Sequence, residues 1–196
     1  LLVHPSLKAS NLQELVALAK ANPGKFSFGS IGVGSGNHLA MEILKTRTGI
    51  DMVHVPFKGA GQGQIALIAG DLQVTFEGPV TSLPNIRSGK VRALASSGLK
   101  RTKALPDLPT IDESGLPGFD VVTWFGLATT GGTPRPIIDR LNREVGVFLN
   151  LPATQKRFDA LNLVIVHSTP DEMTERRKAD LPRITKVMRG AGIMPQ

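Results

Sequence analysis

The stretch FSFGSIGVGSGNHLAMEIL, residues 26–44, decides the fold prediction because it changes from one secondary-structure pattern to another within a few residues. Phe26 and Phe28 flank a serine in the alternation typical of a half-buried strand. Apolar residues at helical spacing (Leu39, Ala40, Ile43, Leu44) follow four closely spaced glycines at Gly29, Gly32, Gly34 and Gly36. Such a turn exposes backbone N–H groups at the start of a helix, where the helix dipole favours an anion. The stretch therefore predicts an anion-binding turn.

The alternation of strand and helix continues on both sides of this stretch. Apolar runs bounded by glycine or proline predict further strands at 1–3, 51–55, 72–76 and 91–95, and the helix after the first strand is expected to be capped by Ser10 with Gln13 in capping-box spacing. Residues 1–98 thus predict an α/β fold, a mainly parallel sheet with helices on both faces. Ligands of such sheets bind beyond the carboxyl ends of the strands. Three polar turns are expected there, at 29–38, 56–63 and 77–82.

The second part of the chain begins with a long loop, Lys100 to Gly118, that is spaced by prolines. A loop of this length indicates a functional or domain-spanning segment. The elements predicted after it are a strand at 119–129, a helix from about Pro136, a helix at 152–161, a strand at 163–166 and a helix at 169–190.

Composition excludes several classes of function. The 196 residues carry a formal charge of +7, but the basic residues are dispersed, and there is no Tyr or RNA-binding aromatic motif, so no nucleic-acid partner is predicted. Cysteine is absent, which excludes disulfides, a thiolate nucleophile and Cys-ligated zinc. No apolar run approaches the roughly 18 residues of a membrane span.

Catalytic and cofactor motifs are not found. Neither glycine-rich turn matches a P-loop or a dinucleotide fingerprint. Ser35 lacks the first glycine of a nucleophile elbow, since Val33 stands there, and a capping serine is the better interpretation. The four histidines are widely separated, so no metal site, cofactor or catalytic residue is predicted. Glu77, at a strand end, is either a solvated turn acid or a specificity residue facing a cleft.

Short motifs occur in a characteristic order along nearly the whole chain. They are HPS (4–6), AKANPG (19–24), the glycine-rich turn ending in His38-Leu39, VHVPFKG (53–59), IAGD (68–71), GKVRALA (89–95), ALPDLPT (104–110), GLPG (115–118), WFG (124–126), GTP (132–134) and AGIMP (191–195). In this order the motifs resemble those of the periplasmic solute-binding proteins of tripartite tricarboxylate transporters, the Bug family.

The resemblance implies a periplasmic-binding-protein-like (type II) fold, in which two lobes close on a ligand by a hinge. Residues 1–125 are then expected to form most of ligand-binding lobe two, and residues 126–196 to supply helices and a strand to an incomplete lobe one. The resemblance also implies a periplasmic, non-enzymatic protein that captures a small organic carboxylate and delivers it to membrane transporter subunits. The ligand-binding residues expected on this basis are Ser30, Gly34, Ser35 and Gly36 as donors, His38 as the residue orienting the helix start, and Phe57, Glu77 and Gly78 from the neighbouring turns.

Departures from the family pattern bear on the ligand and on assembly. The family commonly has Tyr at the position of Phe57 and Asp at that of Glu77. It also has a long preceding N-terminal stretch that supplies most of lobe one. Without that stretch, the helices of 131–196 are expected to expose apolar faces and to favour oligomers. Two alternatives stay open: an anion-dependent enzyme of α/β fold, and a truncated copy that binds no ligand.

Overall fold

The computed structural model describes residues 1–193. The strands within them are β1 (Leu2–Val3), β2 (Ser27–Ser30), β3 (Val53–Pro56), β4 (Val74–Thr75) and β5 (Arg92–Ala93). The helices are α1 (Leu12–Ala21), α2 (Gly36–Thr48), α3 (Ala60–Ala69), α4 (Pro79–Arg87), α5 (Arg135–Leu149), α6 (Pro152–Ala160) and α7 (Pro170–Gly190). The first nine elements alternate strand and helix as the sequence predicts. The end of the AGIMP string, Met194-Pro195, lies outside the described residues.

The strands form a single sheet in the order β3-β2-β4-β1-β5. Strand β2 pairs in parallel with β3 and β4, whereas β1 lies antiparallel between β4 and β5. Four of the five described strands therefore run the same way, and β1 runs against them. The predicted mainly parallel sheet is confirmed, with β1 as an antiparallel member, because an alternating order of elements does not encode the direction of a strand inserted between two later ones.

Helices cover both faces of the sheet, and successive residues of β1 show why. Leu2 packs with Leu67 of α3 on one side, whereas Val3 packs with Leu15 of α1 and Met41 of α2 on the other. Successive side chains of a strand point to opposite faces, so a short apolar run is buried on both sides. All five side chains are nearly inaccessible to solvent.

The first helix is capped one residue later than predicted. Asn11, not Ser10, is the N-cap, and its Oδ1 accepts from the Glu14 backbone N–H at 2.8 Å. The Glu14 carboxylate in turn accepts from the Ser10 backbone N–H at 2.7 Å. The two bonds form a variant of the capping box in which Glu14, rather than the predicted Gln13, reaches back, and its acceptor oxygen meets the N–H of the residue before the cap.

Contacts divide the chain into two units. One comprises Leu1–Thr123 together with the residues from Val187 onward, and the other comprises Trp124–Lys186. The break after Thr123 lies close to the predicted boundary at 125, but the residues from Val187 join the first unit. Assignment of these units to lobes two and one stays a prediction.

Two predicted strands are absent from the described residues, at 119–129 and at 163–166. Val164 and Val166 are 88% and 76% exposed, so their alternation has no sheet to pair with. Val121 is instead fixed by its N–H to the Ser97 carbonyl and by its carbonyl to the Ser97 hydroxyl, at 2.8 Å each. No helix within residues 1–193 has the length and apolar character needed to cross a bilayer.

Candidate ligand-binding site

Three helices begin at one edge of the sheet. Because β2 pairs in parallel with β3 and β4, the carboxyl ends of these strands share an edge, and α2, α3 and α4 each follow one of them. Their N-caps are Ser35, Gly59 and Gly78, and of these only Ser35 caps with its side chain. Residues 29–38 contain no Lys, Arg, Asp or Glu. Any negative charge bound there would therefore meet peptide dipoles rather than a side-chain cation.

The glycine-rich turn folds around the carbonyl group of Gly32. The Ser30 hydroxyl lies 3.0 Å from this carbonyl oxygen, and the Ser35 hydroxyl donates to it at 2.7 Å. Gly32 and Gly34 have φ values of +130° and +78°, which residues with a side chain rarely adopt. The two serine side chains are thus used inside the turn and set its shape.

The start of α2 keeps two backbone donors without an acceptor. Ser35 Oγ accepts from the His38 N–H at 3.5 Å, and the Gly34 N–H is bonded to the His38 ring. Within residues 1–193, the N–H groups of Gly36 and Asn37 make no hydrogen bond. They are the first two donors of the helix, which have no partner inside it, and they stand at the positive end of its dipole.

Two histidines stack beneath the turn. The rings of His38 and His54 lie 3.8 Å apart at 10°, and the ring of Phe28 lies 4.9 Å from that of His54 and 6.0 Å from that of His38. His38 Nδ1 accepts from the Gly34 N–H at 3.0 Å, and His54 Nε2 lies 2.7 Å from the Ser30 hydroxyl. The pair therefore contacts the turn near both of its ends.

Burial keeps this pair uncharged. Burial, followed by the charge effect of the adjacent His38, lowers the pKa of His54 to about 4. Burial also lowers the pKa of His38, against the opposing effect of Glu42. Glu42 is itself buried, 3.8 Å from His38 Nε2, and is paired with Lys45 at 2.9 Å. At neutral pH both rings are neutral and Glu42 is balanced by Lys45.

Glu77 follows β4 at the same edge. Its Oε2 accepts from Gln64 Nε2 and from the Thr81 hydroxyl, at 3.2 Å each. Burial raises the pKa of Glu77, and the Thr81 hydrogen bond opposes that rise. Gln64 also donates to the Thr81 carbonyl at 2.7 Å, which ties α3 to α4. Glu77 is thus a partly buried, hydrogen-bonded acid rather than a solvated turn residue.

The remaining predicted residues lie next to the turn. The Phe57 N–H donates to the Ser30 carbonyl at 2.8 Å, and the Phe57 ring packs beside Gly29 and Gly63. Gly78 is exposed at the start of α4. The structure therefore brings all eight predicted residues to one edge of the sheet. Their role in binding a ligand stays a prediction.

Sequence reasoning missed three residues at this edge: His54, Gln64 and Thr123. Thr123 Oγ1 would lie 2.8 Å from a Cβ placed on Gly36, so this hydroxyl stands at the start of α2. Nothing in the local sequence signals this position, which depends on the tether between Val121 and Ser97. His54 does stand out in the VHVPFKG string as a polar residue within a strand. In residues 1–193 no group of three metal-ligating side chains is found.

Comparison with known sequences identifies the family. A family model described as tripartite tricarboxylate transporter family receptor matches residues 1–190. BugT of Bordetella pertussis is 34% identical over 192 residues, which cover 98% of this chain and 59% of BugT. A Pseudomonas protein encoded in the tcbD-tcbE intergenic region is 33% identical over 189 residues, covering 96% of this chain and 56% of that protein. The chain thus spans less than two thirds of these relatives.

Solved structures agree with the fold. R. palustris Rpa4515 with adipate superposes with a TM-score of 0.90 at 32% identity, over all of this chain and 66% of that one. The periplasmic binding protein BugD gives 0.89 at 30% identity, with the same coverage. MatC of Rhodopseudomonas palustris with bound malate gives 0.84 at 28% identity, over 95% of this chain and 64% of that one. The predicted periplasmic-binding-protein fold is confirmed, and the chain spans about two thirds of these structures. The chain belongs to the tripartite tricarboxylate transporter receptor family, a family of periplasmic solute-binding proteins.

Proposed function

We propose that the chain is the larger ligand-holding part of an extracytoplasmic solute-binding protein that captures a small organic carboxylate for a tripartite tricarboxylate transporter. The observation that carries the proposal is the pair of open N–H groups on Gly36 and Asn37 at the start of α2. Adipate in Rpa4515 and malate in MatC support the class of ligand. Membership of the family supports the further proposal that the protein resides in the periplasm and delivers its ligand to membrane subunits.

A carboxylate needs no arginine at such a site. A hydrogen bond to a charged group contributes about 1.5–3 kcal/mol, so three of them contribute about 4.5–9 kcal/mol, a range whose upper end reaches the roughly 8 kcal/mol of micromolar binding. We assign the direct contacts to the Gly36 and Asn37 N–H groups, with the Thr123 hydroxyl beside them. Ser30, Gly34, Ser35 and His38 belong to the site through the hydrogen bonds that shape its turn.

We propose that the neighbouring turns contact the part of the ligand beyond its carboxylate and select for it. Phe57 offers an apolar ring, and Gly78 leaves the start of α4 uncovered. Glu77 is held by Gln64 and Thr81, and as a hydrogen-bond acceptor it favours ligands that carry a hydroxyl or another donor. Malate has such a hydroxyl and adipate has none, so comparing their affinities tests this role.

Gly36 allows a sharp test of the open donors. It is the first residue of α2, where proline is well tolerated, and the preceding Ser35 already has the extended backbone that proline requires. Gly36→Pro removes the N–H, whereas Gly36→Ala adds a similar Cβ beside Thr123 and keeps the N–H. We expect the proline variant to bind dicarboxylates about 10- to 100-fold more weakly than the alanine variant.

The measurement is calorimetric titration of the full-length protein with a dicarboxylate panel that includes adipate and malate. Equal affinities of the two variants would refute the assignment of the Gly36 N–H. Turnover of any ligand would favour the alternative of an anion-dependent enzyme. Absence of binding in the parent protein would favour the alternative of a copy without ligand binding. Native mass spectrometry of the purified protein would identify any acid that is retained.

Oligomer formation is a separate proposal about Trp124–Lys186. Helix α5 exposes the large apolar side chains of Ile137, Val147 and Phe148, each more than half exposed. Exposed apolar patches of this kind favour association. Size-exclusion chromatography of the 196-residue chain distinguishes an oligomer from a monomer.

A further inference from the structure

The stacked rings of His38 and His54 make one hydrogen bond each to the turn above them. His38 Nδ1 accepts from the Gly34 N–H, and His54 Nε2 contacts the Ser30 hydroxyl. Ser30 lies before the two positive-φ glycines and His38 after them. The two rings therefore fix the turn from one side, close to the open donors of α2.

The proton positions follow from the partners. The Ser30 hydroxyl has one proton, accepts from the Gly32 N–H at 3.2 Å and lies 3.0 Å from the Gly32 carbonyl, which can only accept. All three contacts of this hydroxyl are hydrogen bonds when His54 donates from Nε2. His38 must leave Nδ1 unprotonated to accept from Gly34, so its proton is on Nε2, on the side of Glu42.

We propose that the His38–His54 pair is the positioning device of the anion turn, with His54 as a positioning residue, and that it holds the turn only while the His38 ring is neutral. The inference rests on the proposed function for its effect on ligand binding. Protonation of His38 places a second N–H against the Gly34 N–H, so the hydrogen bond between them is lost. The charged ring also lies 3.8 Å from the ring of His54, which opposes a second protonation.

The surrounding charges set where this change occurs. Helix α2 contributes Glu42, which favours the protonated rings, and Lys45, which opposes protonation. Strand β2 contributes the uncharged Ser30 and Phe28. Burial outweighs the charges and holds the pKa of both rings below the ordinary value of 6.5. The turn is therefore held at neutral pH and released on acidification.

The first experiment follows the ligand-free protein by NMR between about pH 8 and about pH 5. We expect the Gly34 amide signal to move together with the ring signals of His38, with a midpoint below 6.5. His38→Asn supplies an amide oxygen near the position of Nδ1 and cannot be protonated, so this shift should disappear. His4→Gln is the matched control, because His4 contacts Ser6 rather than the turn. A Gly34 amide signal that does not move while His38 is protonated overturns the proposal.

The second experiment measures adipate affinity over the same pH range. The carboxylates of adipate are themselves protonated at low pH, and the resulting loss of affinity is the same for all variants. Below the midpoint of the His38 titration, the affinity of the parent and of His4→Gln should fall by up to about tenfold per pH unit, in addition to the loss caused by adipate itself. The reason is that His38 must release its proton before the ligand can bind. His38→Asn should lack the excess, and His54→Gln, which removes the stacked ring but keeps a donor for Ser30, should change its midpoint. Identical profiles in the parent and His38→Asn overturn the proposal. Absence of binding at every pH, for adipate and for the other acids of the panel, would refute the proposed function and leave the NMR result to decide the role of the pair.

Discussion

The hydroxyl group of Ser35 makes two hydrogen bonds with different roles. It accepts from the His38 N–H as the N-cap of α2, and it donates to the Gly32 carbonyl around which the turn folds. Gly32 and Gly34 supply the backbone angles that this arrangement needs. The geometry of the open donors on Gly36 and Asn37 thus depends on a side chain that is not itself free to bind a ligand.

Replacing Ser35 by Ala should therefore weaken both the helix and the site. We expect a loss of about 1 kcal/mol in the free energy of unfolding, from the missing cap. Carboxylate affinity should fall as well, because the turn loses its bond to Gly32. Denaturant unfolding and calorimetric titration measure the two effects. Ser35→Thr keeps the hydroxyl and should restore most of both. Unchanged carboxylate affinity in the alanine variant would contradict the role given to this residue.

The helices of this chain differ in how their ends are capped. Helix α1 is closed by the capping box of Asn11 and Glu14, and α2 ends at Gly49, whose φ of +71° suits a glycine. At the ligand edge, by contrast, α3 and α4 start at glycines with no side-chain cap. Helix α2, at the same edge, is capped by the Ser35 side chain, whereas α5 and α6 also begin without a side-chain cap, so a missing cap is not confined to this edge.

Asn11→Ala tests whether the loss of a helix cap weakens ligand binding only when the capped helix starts at the ligand edge. The change removes the acceptor of the Glu14 N–H and should cost about 1 kcal/mol in the free energy of unfolding, like Ser35→Ala. Carboxylate affinity should stay at the parent value, since Asn11 contacts only the start of α1. Thermal unfolding combined with titration provides the comparison. A fall in affinity equal to that of Ser35→Ala would mean that general destabilisation, not the turn, controls binding.

Elements that depend on local chemistry could be predicted from the sequence, and those that depend on distant partners could not. The end of α2 at Gly49 and its cap at Ser35 depend on residues next to them in the sequence. The direction of β1 and the lack of a strand at 163–166 are decided by which segments pair. His54 was missed for a related reason: it stands out as a polar residue in a strand, but its stacking partner lies on another element, and its role depends on that partner.

Protonation couples the site to the stability of the whole molecule. His38 and His54 have folded-state pKa values below those of the unfolded chain, so between these values the unfolded state binds more protons. Their contribution to stability is complete above about pH 6.5 and is lost as the pH falls towards about 4. Glu77, whose pKa is raised by burial, acts in the opposite sense above 4.5.

The free energy of unfolding should therefore fall on acidification by more in the parent than in His54→Gln. Urea unfolding at about pH 7.5 and about pH 5 gives the two differences, and subtracting them removes the contribution of Glu77 and of the exposed acids. His4→Gln should behave like the parent. An equal fall in the parent and in His54→Gln would show that His54 is not buried in its neutral form.

The reversed strand in the middle of the sheet also has a consequence for synthesis of the chain. Leu2 pairs with Thr75 on one side and with Ala93 on the other, so β1 leaves the ribosome long before either neighbour. Until both have emerged, β2, β3 and β4 can assemble only as a partial sheet, whose unpaired edge invites aggregation. Closing such distant pairs is slow. The residues of β1 thus stay unpaired until β4 emerges, and β1 keeps an open edge until β5 follows.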